Sequence, residues 1–421
     1  MRQPKILTTM REYSWALFRA DCIAGTTVAM VALPLSLAIA IASGADPATG
    51  LVTAIVGGFF ISLLGGSRVQ IGGPTGAFIV VVFGVIAEHG YDGLVLATMM
   101  AGIVLLIAGF LRLGRLIAFI PEAVVHGFTI GIAIIIAASQ LADFFGMAVA
   151  DLPAEFFAKI AALWKARDTV SLSALAVAVT TLVLIVGLRR LAPRFPGLIV
   201  AVAAGSALAL YGGLPADTIA SRFGELPGQL PAPGLPDVTL ARLRELLPSA
   251  LVIAFLAGVE SLLSAMVADR MIGSSHRSNA ELIAQGSGNI ASSLFAGLPV
   301  TGAIARTATN IRAGGKTPVA GIVHALVILI VMLVAAPLAG QLAMPALAAL
   351  LIITAWNMSE PGKWRGYRAL PRRDLVLLLT TMVLTVAVDL TVAIGVGVTL
   401  GLAFRLLDRQ QEPEDWSQTE R

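Results

Sequence analysis

One carboxylate stands alone inside a long apolar run. Glu260 lies in FLAGVESLLS, residues 255–264, and no other charged residue occurs between 246 and 268. Placing an ionised carboxylate at the centre of a bilayer costs about 3 kcal/mol, so such groups are usually functional. Glu260 can exchange a proton near neutral pH, and Ser264, one helical turn away, can share a proton or a cation with it. The alternative is a carboxyl group that only bonds a neighbouring helix.

Two related motifs put glycine and proline inside apolar stretches, directly before helix-forming runs. They are GPTGA at 73–77 and PVTGA at 299–303. Each predicts a half-helix that begins inside the membrane, where its first N–H groups lack acceptors and the helix dipole adds about half a positive charge. Two such ends facing one another make an anion site, which would include Thr301, Gly302 and Ala303. Alternatively, these glycines only permit close helix packing.

Arg306 follows the second predicted helix start by about one turn. A guanidinium pointed at the cavity would add charge-assisted hydrogen bonds to an oxyanion. It could instead pair with Glu260 or extend towards the cytoplasm. His126 and His324 each lie near the start of an apolar run, where a hydrogen bond at a helix end is expected, and we place neither in the site.

The elements that position these residues are membrane helices. Of 421 residues, 57% are hydrophobic and 13% are charged, and the mean hydropathy is +0.89. A soluble domain is about a quarter charged, so this composition indicates a polytopic membrane protein. The net charge of +4 comes with basic residues in short clusters between apolar runs, which indicates topology rather than nucleic-acid binding. The single cysteine excludes an intramolecular disulfide, and no Cys/His cluster has metal-ligand spacing, so no cofactor or metal is expected.

Uncharged or nearly uncharged runs predict about fourteen spans, seven on each side of a proline-rich linker near 226–236. The runs are 22–45, 47–67, 69–87, 93–111, 123–142, 169–188, 197–216, 246–268, 282–305, a short piece ending near 312, 317–359 as two helices, 375–388 and 390–404. An odd number of spans per half places related halves in opposite orientations, as in the inverted repeats of secondary transporters. The two motifs then open spans 3 and 10.

Basic residues on alternate loops place both termini in the cytoplasm. The loops assigned to that side contain, among others, Arg68, Arg112, Arg115, Arg189, Arg190, Arg194, Arg270, Arg277, Arg312, Lys316, Lys363, Arg365, Arg368 and Arg409. The N-terminal region is too polar for a signal peptide, so the first span stays in the protein. We expect a multi-pass protein of the cytoplasmic (inner) membrane.

The chain resembles the sulfate permease (SulP) family of anion transporters over its membrane portion. The resemblance begins at LPLSLA, 33–38, and is most specific in VESLLSAMVADR, 259–270, SNAELIAQG, 278–286, and TGAIARTATNIRAGGK, 301–316. It implies a seven-plus-seven inverted repeat like that of the uracil transporters, and a homodimer. It also implies a core domain at 21–116 and 246–336 that moves against a gate domain at 117–216 and 337–408.

The resemblance also assigns site residues. It places the substrate between the half-helices of spans 3 and 10, and links Glu260 to proton or sodium coupling. The residues carried over are Leu35, Ile39, Thr75, Gly76, Ala77, Ile304, Ala305 and Arg306. Segments 1–20, 217–245 and 409–421 are then an N-terminal segment, a linker and a short tail, and we expect no cytoplasmic STAS domain of the kind that family members usually carry.

Three hypotheses about function follow. The first is a proton-coupled symporter with an elevator mechanism, for sulfate or C4-dicarboxylates. The second is a sodium-coupled bicarbonate transporter, although those members carry Asp at the position of Glu260 and lack an arginine matching Arg306. The third is an uncoupled anion channel or exchanger. An enzyme is not expected, because the sequence has no HExxH, no GxSxG and no paired catalytic carboxylates within spans.

Overall fold

A computed structural model describes residues 3–114, 121–149, 152–192, 196–367, 369–388 and 390–407. The first half of the chain is helical. Its helices are α1 (Lys5–Thr9), α2 (Trp15–Ala42), α3 (Pro47–Val52), α4 (Gly58–Leu64), α5 (Ile79–Phe110), α6 (Glu122–Ser139), α7 (Leu141–Phe145), α8 (Phe156–Lys165), α9 (Leu172–Leu191) and α10 (Gly197–Tyr211). A π-helical turn, Thr53–Gly57, joins α3 to α4, and a 3₁₀ turn, Gly76–Phe78, leads into α5.

The second half continues in the same way. Its helices are α11 (Ile219–Phe223), α12 (Leu240–Ile272), α13 (Ser278–Leu294), α14 (Ile304–Arg312), α15 (Val319–Gly340), α16 (Met344–Met358), α17 (Trp364–Tyr367), α18 (Arg372–Ala387) and α19 (Leu390–Leu407). The described elements also include two short strands, β1 (Gly72–Gly73) and β2 (Thr301–Gly302), and the 3₁₀ turns Met10–Glu12, Arg167–Thr169 and Pro361–Lys363. The predicted tail at 409–421, like Arg115, Arg194, Arg368 and Arg409, lies outside the described residues.

Among the described residues, seven helical segments are long and apolar enough to cross a membrane, and two shorter apolar helices accompany them. The seven are Trp15–Ala42, Pro47–Leu64, Gly76–Phe110, Glu122–Phe145, Leu172–Leu191, Leu240–Ile272 and Val319–Gly340. The count of fourteen spans stays a prediction. Within α5 the backbone leaves helical geometry at Gly90, whose φ is 71°. Glycine tolerates this left-handed conformation, and the bend falls where the sequence separates spans 3 and 4.

The third apolar run is not helical from its start at residue 69. It first forms β1, and helical geometry begins only at Gly76. Gly73 and Pro74 explain the delay, because proline cannot donate a hydrogen bond and disfavours helical geometry in the residue before it. The linker predicted at 217–245 is also more structured than expected. It contains α11, Ile219 is fully buried, and the backbone carbonyl of Asp217 accepts a 2.8 Å hydrogen bond from the N–H of Met344.

Helices from the two halves of the chain pack against each other. Helix α5 packs on α12 and α13, and α2 packs on α14 and α15. A second group brings α6 against α16 and α18, and α9 against α10 and α16. The β1–β2 ladder lies within the first group, between α4 and the π-helical turn on one side and α12 and α13 on the other.

Candidate functional site

The two glycine-containing motifs meet in a short antiparallel ladder. Gly72 pairs with Gly302 and Gly73 with Thr301, and the N–H of Ala303 donates a 2.9 Å hydrogen bond to the carbonyl of Ile71. Thr301 is fully buried, and its hydroxyl donates to the carbonyl of Ala257 at 2.8 Å. The ladder therefore brings together two motifs that lie more than two hundred residues apart in the sequence.

A helix begins just after each strand. The turn Gly76–Phe78 starts three residues after β1, and α14 starts two residues after β2. Neither start has a side-chain cap, since Thr75 and Ala303 make no capping hydrogen bond. Uncapped first-turn N–H groups are the groups that bind anions at helix N-termini. Ile304 and Ala305 are exposed, whereas Gly76, Ala77 and Ala303 are buried.

Glu260 lies on α12 and is bonded to the first of these motifs. Its Oε2 accepts a 2.8 Å hydrogen bond from Thr75 Oγ1. Both side chains are partly buried. Ser264, which the sequence places one turn away as a partner of Glu260, instead makes a 3.2 Å hydrogen bond to Thr307 Oγ1. That hydroxyl also accepts from the N–H of Ile71, so Ser264 supports the ladder and not the carboxylate.

Arg306 is buried behind the ladder. Its residue is 1% exposed, its Nη2 donates to Ser36 Oγ at 3.2 Å, and its Nε and Nη1 have no hydrogen-bond partner among the described residues. A Cβ added at Gly73 would collide with Nη1, so a larger residue at that point of β1 would displace the guanidinium. No carboxylate within the described part of the chain forms an ion pair with Arg306. The guanidinium therefore neither pairs with Glu260 nor reaches the protein surface.

Residues of the second helix group close over the first motif. A Cβ at Gly76 would lie 2.8 Å from Met358 Sδ and 3.5 Å from Ile136 Cδ1, so α16 and α6 approach the start of the Gly76–Phe78 turn. Leu35 is partly exposed and Ile39 is 1% exposed on α2. Met358 and Ile136 could not be identified from the sequence, because nothing in an apolar helix marks which side chain faces a particular loop.

A second buried carboxylate was also missed. Glu281 is fully buried, and its Oε2 accepts from the N–H groups of Gly66 and Ser67 at 2.8 and 3.1 Å. Its Oε1 accepts from Ser261 and Gln285 at 3.1 and 3.0 Å. Glu281 stands in one of the stretches that carry the family resemblance, which was the available signal. It fixes the loop before β1 to α12 and α13.

The two histidines left out of the site have different environments. His126 places one ring nitrogen 2.9 Å from Glu122 Oε1 and the other 3.0 Å from Glu360 Oε2, in line with the expected bond at a helix end. His324 is fully buried, and neither ring nitrogen has a hydrogen-bond partner among the described residues. The expected helix-end bond of His324 is therefore not formed there.

A small surface cavity of about 180 Å³ lies away from these residues. It is lined by Glu88, His89, Gly93, Arg242, Glu245 and Leu246. The cavity contains charges of both signs, and Glu245 Oε1 already lies 3.1 Å from His89 Nδ1. On chemical grounds this cavity is therefore a weaker candidate for an anion site than the ladder. Within the described residues, no group of three or more His, Cys, Asp or Glu side chains could hold a metal ion.

A bundle of apolar helices with a buried cation beside two uncapped helix starts is the arrangement expected of a membrane transporter of anions. The sequence profile of the Sulfate permease family matches residues 18–381, so the chain belongs to that family. It is 42% identical over 393 residues to "Putative sulfate transporter YvdB" of Bacillus subtilis, covering 93% of this chain and 74% of that protein. It is 33% identical over 382 residues to "Bicarbonate transporter BicA" of Picosynechococcus, covering 88% and 67% respectively.

Solved structures agree with the fold. The transmembrane domain of a cyanobacterial bicarbonate transporter BicA matches with a TM-score of 0.82 at 33% identity, over 90% of this chain and 98% of that one. Murine Solute Carrier 26 family member A9, an anion transporter in the inward-facing state, matches with a TM-score of 0.87 at 19% identity, over 97% and 72%. The predicted all-helical membrane transporter fold is confirmed, and the protein is an anion transporter and not an enzyme.

Proposed function

We propose that this protein is a proton-coupled secondary transporter of small anions, with sulfate or a C4-dicarboxylate as substrate. The observation that carries the proposal is Arg306, a guanidinium that is 1% exposed and lacks an acidic partner among the described residues. A buried charge without a counterion is strongly unfavourable. An anion bound next to it would supply the missing negative charge.

Two uncapped helix starts add to the positive potential at the same place. The helix α14 and the turn Gly76–Phe78 begin on either side of the ladder, and their N–H groups and dipoles favour an anion. The proposed substrate contacts are therefore the motif residues and their neighbours on α2. They are Leu35, Ile39, Thr75, Gly76, Ala77, Thr301, Gly302, Ala303, Ile304, Ala305 and Arg306.

Glu260 is the proposed proton-binding residue. It is the carboxylate that hydrogen-bonds the first motif, through Thr75. A carboxylate next to a site for anions repels the substrate while it is ionised and does so less once it is protonated. Anion binding and protonation of Glu260 would then favour each other, which is the thermodynamic requirement for symport. Ser264 would act on this coupling only indirectly, because its hydrogen bond to Thr307 supports the ladder.

Transport by an elevator movement is consistent with how the helices are grouped. We assign α2 to α5 and α12 to α15 to a core that carries the anion, and the helices from α6 to α10 and from α16 to α19 to a gate. Met358 and Ile136 belong to the gate and contact the core at Gly76. The proposal includes a homodimer in the inner membrane with both termini in the cytoplasm.

The decisive experiment is uptake into proteoliposomes. Radiolabelled sulfate, fumarate and bicarbonate are offered at two pH values, with and without sodium, to wild type and Glu260→Gln. We expect uptake of one anion to rise with an inward proton gradient and to collapse in the variant. Absence of uptake for every anion of a broad panel would overturn the proposal.

Sodium-coupled bicarbonate transport is the second candidate. The observation in its favour is the 33% identity to BicA together with the TM-score of 0.82 to the BicA transmembrane domain. Bicarbonate uptake that requires sodium and ignores the proton gradient would establish it. Currents that reverse at the Nernst potential of the anion and are unchanged in Glu260→Gln would instead identify an uncoupled channel.

A further inference from the structure

His324 is a buried titratable residue that the proposed mechanism does not use. It lies on α15, which packs against α2 and α4, and it is fully buried. Ser62 Oγ on α4 is also buried without a hydrogen-bond partner among the described residues. A Cβ at Gly321, one turn before His324, would collide with that hydroxyl. His324 and Ser62 are thus two polar groups on facing sides of one helix contact.

Arg306 lies close to this histidine through the strand β1. A Cβ at Gly58 on α4 would lie 4.0 Å from His324 Cε1 and 2.9 Å from the carbonyl of Gly72. The next residue of β1, Gly73, contacts Arg306 Nη1. The Nε and Nη1 of Arg306 are without partners among the described residues. A guanidinium only donates hydrogen bonds, whereas a neutral imidazole has one nitrogen that accepts. Nearly all buried polar groups in native proteins are hydrogen-bonded, directly or through water. The unpaired donors of Arg306 and the accepting nitrogen of a neutral His324 are therefore chemically complementary.

The other elements packed on α15 bring few further charges. Helix α3, the π-helical turn and α4 contain no titratable side chain. The groups on the remaining neighbours are Arg19, Asp21 and Cys22 on α2 and Arg222 on α11. Asp21 binds Thr317, two turns before His324, and Arg222 is paired with Asp143 and Asp217. The charges that remain to act on His324 are therefore Arg306, any anion beside it, and Glu260, which is neutral once it has bound its proton.

We propose that His324 is a specificity-determining residue that takes up a proton when a dianion binds beside Arg306. The inference rests on the proposed function, because it requires the anion to bind near Arg306. The proton comes from solution and attaches to a free ring nitrogen, and no covalent bond of the substrate changes. A dianion is then bound together with a proton at His324, and a monoanion without one.

The balance of charge around Arg306 is the physical reason why His324 would be protonated when a dianion binds. Arg306 alone repels a second positive charge in a medium of low dielectric constant, so His324 stays neutral while the site holds no anion. A monoanion balances Arg306 and leaves no excess charge. A dianion leaves one negative charge unbalanced, which an imidazolium would neutralise. Protonation of His324 and binding of a dianion must therefore strengthen each other by the same factor.

The test measures proton uptake by purified protein in a weakly buffered detergent solution with a pH indicator. Sulfate is the dianion and nitrate the monoanion, because neither titrates in the neutral range. The variants are His324→Gln and His324→Asn, which keep a polar side chain that cannot be protonated. The control is His89→Gln, the same change at a histidine outside the site. Each is also made in a Glu260→Gln background, so that protons bound by Glu260 do not contribute.

We expect sulfate, and not nitrate, to cause proton uptake in the Glu260→Gln background, with His89→Gln unchanged and both His324 variants without uptake. The sulfate affinity of the background protein should rise on acidification by up to about tenfold per pH unit, whereas the His324 variants should be flat. Equal proton uptake with and without His324 would overturn the inference and leave anion transport intact. Absence of binding by wild type for sulfate, fumarate and nitrate alike would overturn the proposed function as well.

A second measurement covers variants that fail to fold. The chain has four histidines, so ¹⁵N labelling of histidine gives few imidazole signals, which can be followed in wild type with and without sulfate. We expect one buried, solvent-protected imidazole to become protonated only when sulfate is present. If no imidazole gains a proton when saturating sulfate is added at about pH 6, where a free histidine is mostly protonated, the inference is wrong.

Discussion

Thr75 Oγ1 lies 2.8 Å from Glu260 Oε2, and this hydrogen bond connects the loop after β1 to the middle of α12. The two residues are 185 positions apart in the chain. The bond places the titratable group of one half of the chain against the proposed anion-binding helix start of the other half. A change in protonation at Glu260 therefore acts directly on the loop that begins the turn Gly76–Phe78.

The first prediction concerns the carboxylate. Glu260→Gln keeps the size of the side chain but cannot exchange a proton, so uptake driven by a proton gradient should fall by at least about tenfold, equivalent to about 1.4 kcal/mol. The matched control is Glu245→Gln on the same helix, whose side chain is 59% exposed. Proteoliposome flux measures both. Equal gradient-driven uptake in wild type and Glu260→Gln would move the coupling to another residue.

The second prediction isolates the hydrogen bond itself. Thr75→Val removes the hydroxyl with little change in shape and leaves Glu260 without this donor. Hydrogen bonds to charged groups contribute about 1.5 to 3 kcal/mol, so uptake should fall roughly ten- to a hundredfold. Thr75→Ser retains the hydroxyl and should restore most of the activity. If the valine and serine variants transport equally well, the bond has no role in transport.

The third prediction tests whether the position of Arg306 matters for the anion. Gly73→Ala places a methyl group against Nη1, and the guanidinium must move because it is enclosed. We expect sulfate affinity to fall by about tenfold, or about 1.4 kcal/mol, while the protein still folds. Gly84→Ala is the control, since a Cβ there meets nothing within 4 Å. Isothermal titration of detergent-purified protein measures the affinity, and unchanged binding in Gly73→Ala would argue against Arg306 as the counter-charge.

The fourth prediction concerns stability and does not involve the site. Asp21 is fully buried and accepts hydrogen bonds from the N–H groups of Lys316 and Thr317, from the Thr317 hydroxyl and from Tyr13. Asp21→Asn replaces an acceptor oxygen by a donor against these groups. The expected cost is about 3 kcal/mol, a drop of roughly 5 °C in Tm. Asp92→Asn, at an exposed position, should leave the thermal unfolding curve unchanged.

The fifth prediction is a pH dependence at Glu360, which lies in the turn between α16 and α17. Burial acts to raise the pKa of Glu360, but the hydrogen bond from His126 and the charges of His126 and Lys363 outweigh it, so the pKa lies below its ordinary value of 4.5. A carboxyl group with a lowered pKa stabilises the fold above its unfolded pKa and loses that contribution as the pH falls.

Glu360→Gln should therefore lower Tm near neutral pH, and the difference from wild type should shrink as the pH falls below about 4.5. Glu225→Gln, at an exposed position in the described linker, is the control and should show no such difference. Thermal unfolding of detergent-purified protein across this pH range is the measurement. A Tm difference that is the same at every pH would contradict the assigned role of the charge.

The sequence by itself determined the class of protein and its chemical candidates. Composition and run length required helices in a membrane, since so many apolar residues have no other place to go. Glu260 was identified as a carboxylate in an apolar run. The two helix starts were identified by glycine–proline motifs before helical runs. These inferences are possible because polar groups and helix breakers are costly in a bilayer, and each is visible as a local exception.

Only the tertiary structure decided which of these residues meet. Ser264 and Glu260 have helical spacing, yet Ser264 bonds Thr307 because the ladder brings α14 against that side of α12. From the sequence, Arg306 could have faced the cavity, Glu260 or the cytoplasm. In the structure it is buried against Gly73 and Ser36, because the absence of a side chain at Gly73 leaves room for the guanidinium. The partners of a side chain in a bundle depend on how distant helices cross, and the spacing of residues along one helix does not contain that information.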